Sequence, residues 1–348
     1  MDNLIMNKNN ISVSICCIAY NQENYIKDAL DGFLMQKTDF PYEIIINDDA
    51  SQDRTAEIIR EYQTKFPDII KPIYQEENQF SQGVKPFSGI VFPDANGKYI
   101  ALCEGDDYWT DPQKLQKQVD FLERHPEFTI CTHHAKVLKM ETGEFTGKTP
   151  RFTNPTVLTL KDLMRGGNGG PTCSIMFRNG VFNHYPETFN EIRGGDVPLQ
   201  VLCTSKGKLM CLMDDMGVFR THNRSSYYYL SKDAHAQGIP TRELLYRNML
   251  YQNKVLQRYF HYRYWYLIPR QNFYIHWHQS RYYLNSHYLK AVYYFLLSIP
   301  GLFSPRDWLT RKSILNQIKA IILKPWEGLY HHILKKFKND KLKMNEKQ

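Results

Sequence analysis

"YEIIINDDASQDRTAEIIREYQTKF", residues 42–66, carries an apolar strand into three aspartates and then into an amphipathic helix stopped by Pro67. The isoleucines at 44–46 predict a strand buried on both faces, the pattern of a parallel sheet. A buried strand that ends in Asp48 and Asp49 needs a use for carboxylates just beyond its end.

Working outward, the same unit recurs. "ISVSICCIAY" (11–20) is a second near-continuous apolar run. The segment after it has Tyr25, Ile26, Ala29, Leu30, Phe33 and Leu34 at helical spacing, with Asn21 as its expected N-cap. "IIKPIYQ" predicts a third strand, and "ANGKYIALCEGDDYW" a fourth that follows a glycine-containing turn. "DPQKLQKQVDFLERHP" predicts a helix between Pro112 and Pro126, with Asp111 as its cap. Strand and helix alternating at these lengths predict an α/β fold, a Rossmann-like, mostly parallel sheet with helices on both faces. Such sheets bind ligands beyond the carboxyl ends of their strands. Asp48/Asp49 and Glu104/Asp106/Asp107 both fall there. After residue 130, shorter strand-like runs ("FTICTHHAKVL", "TCSIMF", "LMCLMDDMGVFR") alternate with glycine-rich loops.

Charge divides the chain. Residues 227–348 hold 20 Lys/Arg against 6 Asp/Glu, while residues 1–226 hold 24 against 30. An acidic body (1–226) is therefore followed by a basic, aromatic, helix-like extension (227–348). Segregated positive charge points to an anionic partner. Seven scattered cysteines form no CxxC pair and no zinc array, which predicts reduced, buried thiols. "MDNLIMNKNN" lacks the features of a signal peptide, and "AVYYFLLSIPGLF" (291–303) is too short and too interrupted to cross a bilayer.

In "CEGDDYW", residues two apart on an extended segment face one side, so Glu104 and Asp106 can reach one ligand. Carboxylates along one sheet edge suit two tasks: holding a divalent cation that itself holds phosphate, or bonding ribose hydroxyls and base N–H groups. "MRGGNGGPTCS" (164–174) is too rich in glycine for a regular element. It lacks the Lys-Ser/Thr ending of a phosphate-binding P-loop, and Asn168 and Thr172 are its candidates for touching an acceptor. His133 and His134 have no partner motif and read as packing or surface residues.

The ordered set "CIAYNQENYI", "INDDASQDRT", "ALCEGDDYW", "RGGDVPLQ" and "FRTH" resembles family 2 glycosyltransferases of the GT-A fold, over residues 11–226. That resemblance implies a nucleotide-diphosphate-sugar donor, UDP-linked by preference, and an inverting transfer. It places Tyr20 and Glu23 on a wall of the nucleotide pocket and Asp48 and Asp49 at the base and ribose. Asp53 becomes the start of the next helix. Glu104 stands where the family has the first Asp of Asp-x-Asp, and Asp106 becomes the main ligand of Mn²⁺ or Mg²⁺. Asp196 matches the general base. Arg220 is implied at the diphosphate and His222 in the metal sphere. The implied activity is a metal-dependent hexosyl transfer to a glycan or lipid-linked glycan of cell-surface polysaccharide or lipopolysaccharide.

The extension's interleaved aromatic and basic residues fit a helix on an anionic membrane, which implies a cytoplasmic protein peripheral at the inner face of the cytoplasmic membrane. The alternative is helices packed on the body. No nucleic-acid motif accompanies the charge. A rival from another class is a non-catalytic GT-A-like scaffold that binds sugar nucleotide or glycan. Intact Asp106 and Asp196 argue against it. A nucleotidyltransferase is disfavoured because no Lys/Arg-bearing glycine-rich loop follows the first strand.

Overall fold

A computed structural model describes residues 11–221 and 232–263, with five isolated positions between 272 and 279. The fold is α/β, built on one ten-stranded sheet of order β3-β2-β1-β4-β9-β6-β10-β5, with β7 beside β6 and β8 beside β10. The strands are β1 (Val13–Ala19), β2 (Tyr42–Asp48), β3 (Ile70–Tyr74), β4 (Tyr99–Glu104), β5 (Tyr108–Trp109), β6 (Phe128–Lys139), β7 (Glu144–Thr149), β8 (Thr156–Leu158), β9 (Met176–Arg178) and β10 (Lys208–Thr221). The half β3-β2-β1-β4 is wholly parallel. Beyond it β9 runs antiparallel to β4 and β6, while β6 and β10 pair in parallel.

Alternation along the parallel strands feeds two cores. Val13, Ile15 and Cys17 of β1, Ile44 and Ile46 of β2, and Ala101 and Cys103 of β4 face one side. Helices α1 (Ile26–Leu34), α2 (Thr55–Lys65) and α3 (Lys114–Arg124) cover that side, with Leu30, Phe33, Ile59 and Leu122 buried against it. Cys16, Ile45, Ile100 and Leu102 face the other side, under α4 (Leu160–Met164), α5 (Asp196–Thr204) and the last described helix, α6 (Thr241–Tyr259). This two-faced burial explains why β1 and β2 read as unbroken apolar runs. All seven cysteines are buried and unpaired.

Contacts divide the chain into residues 1–268 and 269–348, and the described residues fall almost wholly in the first unit. Within it, α6 packs on the body: the Tyr259 and Phe189 rings meet at 4.7 Å, and Arg258 pairs with Glu191 at 3.0 Å. No described helix is long and apolar enough to cross a membrane.

Two expectations about helix caps are corrected. Asp111 does not cap α3, which starts at Lys114 after Gln113 without a side-chain cap; the Asp111 Oδ1 accepts the Gln113 N–H at 2.8 Å. Asn21 does not cap α1, which starts at Ile26 after Tyr25 without a side-chain cap. Asn21 instead takes a left-handed φ of 53°. Its Oδ1 accepts the Gln52 N–H at 2.7 Å and its own N–H donates to Ser51 Oγ at 2.9 Å, which ties the β1–α1 loop to the β2–α2 loop.

Candidate active site

β1 and β4 pair as far as Ile18 and Glu104, so the acidic turn begins where the ladder ends. Gly105 donates its N–H back to Ile18 O at 2.9 Å and Asp107 donates to Glu104 O at 3.0 Å, folding residues 104–107 into a tight turn. A Cβ at Gly105 would lie 2.4 Å from Gln22 Oε1 and 2.7 Å from Ile26 Cδ1, the ends of two side chains that would have to shift to admit it. Trp109, 2% exposed, anchors the turn from below. Its Nε1 donates to Cys173 O at 2.8 Å, Phe33 meets it edge-on at 4.8 Å, and the Lys114 ammonium lies 3.6 Å from its ring centre.

The turn gathers three carboxylates. One oxygen each of Glu104, Asp106 and Asp107 lies within 4.8 Å of the others. Burial, then the charges of Asp106 and Asp196, push Glu104 up to about 8, against a hydrogen bond from Thr172. Asp107 is raised well above the ordinary range by burial and then by Asp106 and Glu104, although the Arg220 N–H and the Cys173 side chain bond it. Its Oδ2 has no hydrogen-bond partner among the described residues. Like charges this close resist full ionisation, and a divalent cation removes that penalty. The donors are all hard oxygens, two of them half-exposed, so the residues fit Mg²⁺ or Mn²⁺.

Asp196 opens α5. Burial raises it, opposed by its own N–H and that of Val197 and by a side-chain hydrogen bond with Asn168. Its charge is felt at Glu104. Asp106, Thr172 and Asp196 therefore all act on Glu104, although the sequence spreads these residues over more than ninety positions.

At the end of β2, the aspartates separate. Asp48 is 3% exposed; its Oδ2 accepts the Ser51 N–H at 3.3 Å, and its Oδ1 has no hydrogen-bond partner among the described residues. An open groove of about 530 Å³ lies beside it, lined also by Ser51, Arg60, Tyr74 and Gln75. Asp49 is equally buried, but its oxygens accept the N–H groups of Gln79 at 2.7 Å and Phe80 at 3.1 Å, so it holds the segment after β3. Asp53 accepts the Thr55 N–H at 3.0 Å ahead of α2 and the Glu23 N–H at 3.1 Å. Glu23 in turn accepts the Arg54 N–H at 3.1 Å, which makes it part of the lacing between the two loops. Tyr20 stands 41% exposed at their rim.

Arg220, implied at the diphosphate, is 6% exposed; its guanidinium pairs with Asp28, donates to Asp106 O at 3.0 Å and lies 4.3 Å from the Tyr108 ring centre. Its backbone N–H donates to Asp107 Oδ1 at 2.7 Å. It braces the acidic turn from behind. His222 lies outside the described residues.

Reading the sequence alone grouped Asp107 with Glu104 and Asp106 but gave it no role of its own, and it passed over Gln200 and Lys85. Gln200 stands one helical turn beyond Asp196, the one signal that put it near the site. Lys85 donates to Ile192 O at 2.9 Å, just ahead of the Asp196 loop, and no spacing in the sequence links those positions.

A parallel half-sheet whose strand ends carry carboxylates, joined to a mixed half that brings Asp196 to them, is the architecture of GT-A glycosyltransferases. Residues 14–185 match the profile of Glycosyl transferase family 2. Escherichia coli WfaP, named a UDP-Glc:alpha-D-GlcNAc-diphosphoundecaprenol beta-1,3-glucosyltransferase, is 34% identical over 196 residues, covering 56% of this chain and 71% of its own. The chain belongs to glycosyl transferase family 2. An uncharacterized protein of Mycobacterium tuberculosis (strain ATCC 25618 / H37Rv) is 40% identical over 214 residues, which are 60% of this chain and 59% of that relative's length. The crystal structure of S. aureus TarS residues 1–349 in complex with UDP shares the fold at a TM-score of 0.50 and 16% identity, covering 83% of this chain and 90% of its own.

Proposed function

We propose that this chain is an inverting, divalent-cation-dependent glycosyltransferase that moves a hexose from a UDP-sugar to a hydroxyl of a lipid-linked glycan in cell-surface polysaccharide synthesis. The observation that carries the reading is the Glu104–Asp106–Asp107 turn at the end of β4, with Asp196 near enough for its charge to act on Glu104.

Inversion requires one in-line displacement. Asp196 accepts the proton of the acceptor hydroxyl as that oxygen bonds the anomeric carbon. The bond from that carbon to the diphosphate oxygen breaks, and its electron pair leaves with the nucleoside diphosphate. A cation held by Asp106 and Glu104 supplies, when bound, the positive charge that makes diphosphate a good leaving group. No second carboxylic acid is needed for departure, unlike in hydrolases, where an alkoxide must be protonated. Burial lifts Asp196 toward the range where a carboxylate works as a base near neutral pH. Asp48 Oδ1, buried beside the groove and without a hydrogen-bond partner among the described residues, is an acceptor for a base N–H or a ribose hydroxyl. The donor named for WfaP supports UDP, and its diphosphoundecaprenol acceptor supports a lipid carrier. The basic extension is the segment that would approach such a carrier at an anionic membrane.

The test is calorimetry with UDP and Mn²⁺ beside hydrolysis of a panel of UDP- and GDP-sugars. Asp106→Ala is expected to lose Mn²⁺-dependent UDP binding. Asp196→Asn is expected to keep UDP affinity and lose about 10²-fold or more in turnover. UDP affinity unmoved by both Asp106→Ala and EDTA sinks the metal role. A panel with no Mn²⁺-stimulated hydrolysis favours the non-catalytic scaffold.

A further inference from the structure

Two glycines lead into the residue read as the base. Arg193, Gly194 and Gly195 are exposed, and Gly194 takes a left-handed φ of +89°. A Cβ at Gly194 would lie 3.7 Å from Asp196 Oδ1, an ordinary van der Waals contact, so the carboxylate lies against the backbone of this segment. Glycine has the most backbone freedom to lose, so a carboxylate resting on two of them is placed only as well as their flanks are held. On one side the flank is α5, whose Leu199 N–H donates to Gly195 O at 3.1 Å. On the other it is Ile192, 1% exposed, whose carbonyl accepts a hydrogen bond from the Lys85 ammonium at 2.9 Å. Arg193 adds an ion pair with Asp233 at 2.7 Å.

Lys85 reaches that carbonyl from a fixed platform. The segment before it is pinned to the end of β2: Asp49 accepts the N–H groups of Gln79 and Phe80, and Asn78 Nδ2 donates to Asp49 O at 3.2 Å. The Gly83 and Val84 N–H groups close that segment into a turn, onto Phe80 O and Gln79 O, each at 3.1 Å. After it, the Lys85 carbonyl accepts the Gly89 N–H at 2.8 Å, and the Phe92 ring meets Phe177 of β9 at 5.5 Å. The ammonium is held here at a cost. Burial, then the charge of Arg193, lowers its pKa, and a methionine would fill the same space without that penalty. A half-buried lysine beside another cation needs a use, and the hydrogen bond it makes among the described residues is to Ile192 O.

We infer that Lys85 is a positioning residue for Asp196: it ties Ile192 O, and with it the two-glycine segment on which the carboxylate lies, to the end of β2. The inference rests on Asp196 being the base. Asp49, buried beside Asp48, then has a role without touching the donor, because it holds the platform from which Lys85 works.

Lys85→Met tests it, because it removes the donor and keeps the bulk of the side chain. On the nucleotide sugar that wild type hydrolyses fastest with Mn²⁺, kcat is expected to fall about 10²-fold, the scale of a reacting group displaced by about 1 Å. KM, UDP affinity and the unfolding midpoint are expected to stay near wild type. Lys85→Arg, which keeps a cationic donor, is expected to recover most of the loss. On the residual turnover of Asp196→Asn, Lys85→Met is expected to have no further effect, since no base remains to be placed. Lys85→Met turning over like wild type, while Asp196→Asn has lost about 10²-fold or more, overturns the inference alone. So does a loss confined to KM and UDP affinity, which would make Lys85 a ligand of the diphosphate, and so does a full further loss on top of Asp196→Asn. Turnover surviving undiminished in Asp196→Asn overturns the base assignment and this inference with it. Should Lys85→Met fail to fold, Lys85→Gln, one bond shorter, is read the same way.

Discussion

Glu104 is where the tension of the site concentrates. It carries one more methylene than an aspartate would, and burial with the charges of Asp106 and Asp196 pushes it up to about 8 from 4.5. A carboxyl raised in the folded state keeps its proton after the unfolded chain has lost its own. Stability from this group is therefore full below about pH 4.5 and is lost as pH climbs toward 8. Asp107 and Asp196 are displaced the same way and add to the slope. In EDTA, the unfolding midpoint is expected to fall across that window, Glu104→Gln to flatten part of the fall, and Mn²⁺ to flatten more. Thermal melts over a pH series check it; a Glu104→Gln slope equal to wild type removes Glu104 as the source. Reading at this scale caught the acids, because residue type and strand-end position announce them. It did not catch what each side chain touches. Asp49 turns to Gln79 and Phe80, Glu23 to Arg54, and Arg220 to Asp28, and each choice depends on a partner that only the folded chain brings near.

Among the elements, the parallel strands and their helices were legible, because hydrophobic period and proline stops are local. Close approaches were not. "ANGKY" reads as a glycine turn, yet the structure shows why alanine fails there. A Cβ at Gly97 would lie 2.4 Å from Ser14 N, 2.7 Å from Val13 C and 2.9 Å from Tyr99 O, all of them backbone atoms. Those atoms begin β1 and β4, and the Gly97 N–H donates to Ser14 Oγ at 2.8 Å. Ser14 in turn donates to Glu43 at 2.6 Å, a fully buried carboxylate paired with Lys71, so the turn is wired into the starts of three strands. Gly97→Ala is expected to destabilise by about 2–3 kcal/mol, the overpacking range, because backbone cannot step aside. Denaturant titration measures it, and UDP binding per folded molecule should stay unchanged since the turn lies at the opposite end of the strands from Glu104. A loss under about 0.5 kcal/mol would show that β1 and β4 separate more easily than their ladder implies. The second half of the sheet was harder to foresee. "TCSIMF" and "LMCLMDDMGVFR" read as strand-like and fall on β9 and β10. β5, however, spans two residues, too few for periodicity to register. No local pattern tells that β9 runs antiparallel between β4 and β6 or that β10 bulges between Cys211 and Gly217.

For the molecule as a whole, charge decides what the extension can do. The body through residue 226 carries six more acids than bases, so by itself it is repelled from an anionic surface. Any attraction must come from residues 227–348, but the first part of that segment spends some of its charge on the body. Arg258 pairs with Glu191 and Arg247 with Glu243, within or beneath α6. Residues 304–348 hold 11 Lys/Arg against 4 Asp/Glu, interleaved with Trp308, Trp326, Tyr330 and Phe337. Each basic group near an anionic bilayer contributes about 1 kcal/mol, and interfacial aromatics add to it, so this stretch is expected to outweigh the body's repulsion at moderate salt. The full chain is expected to float with vesicles containing phosphatidylglycerol and to lose most of that flotation at high salt. Deleting residues 304–348 is expected to abolish flotation while UDP binding by the remaining chain persists. Flotation that survives the deletion, or that ignores salt, would show that attraction resides elsewhere and is not electrostatic, and the basic extension would then lose its role in bringing this family 2 catalytic fold to a lipid-linked acceptor.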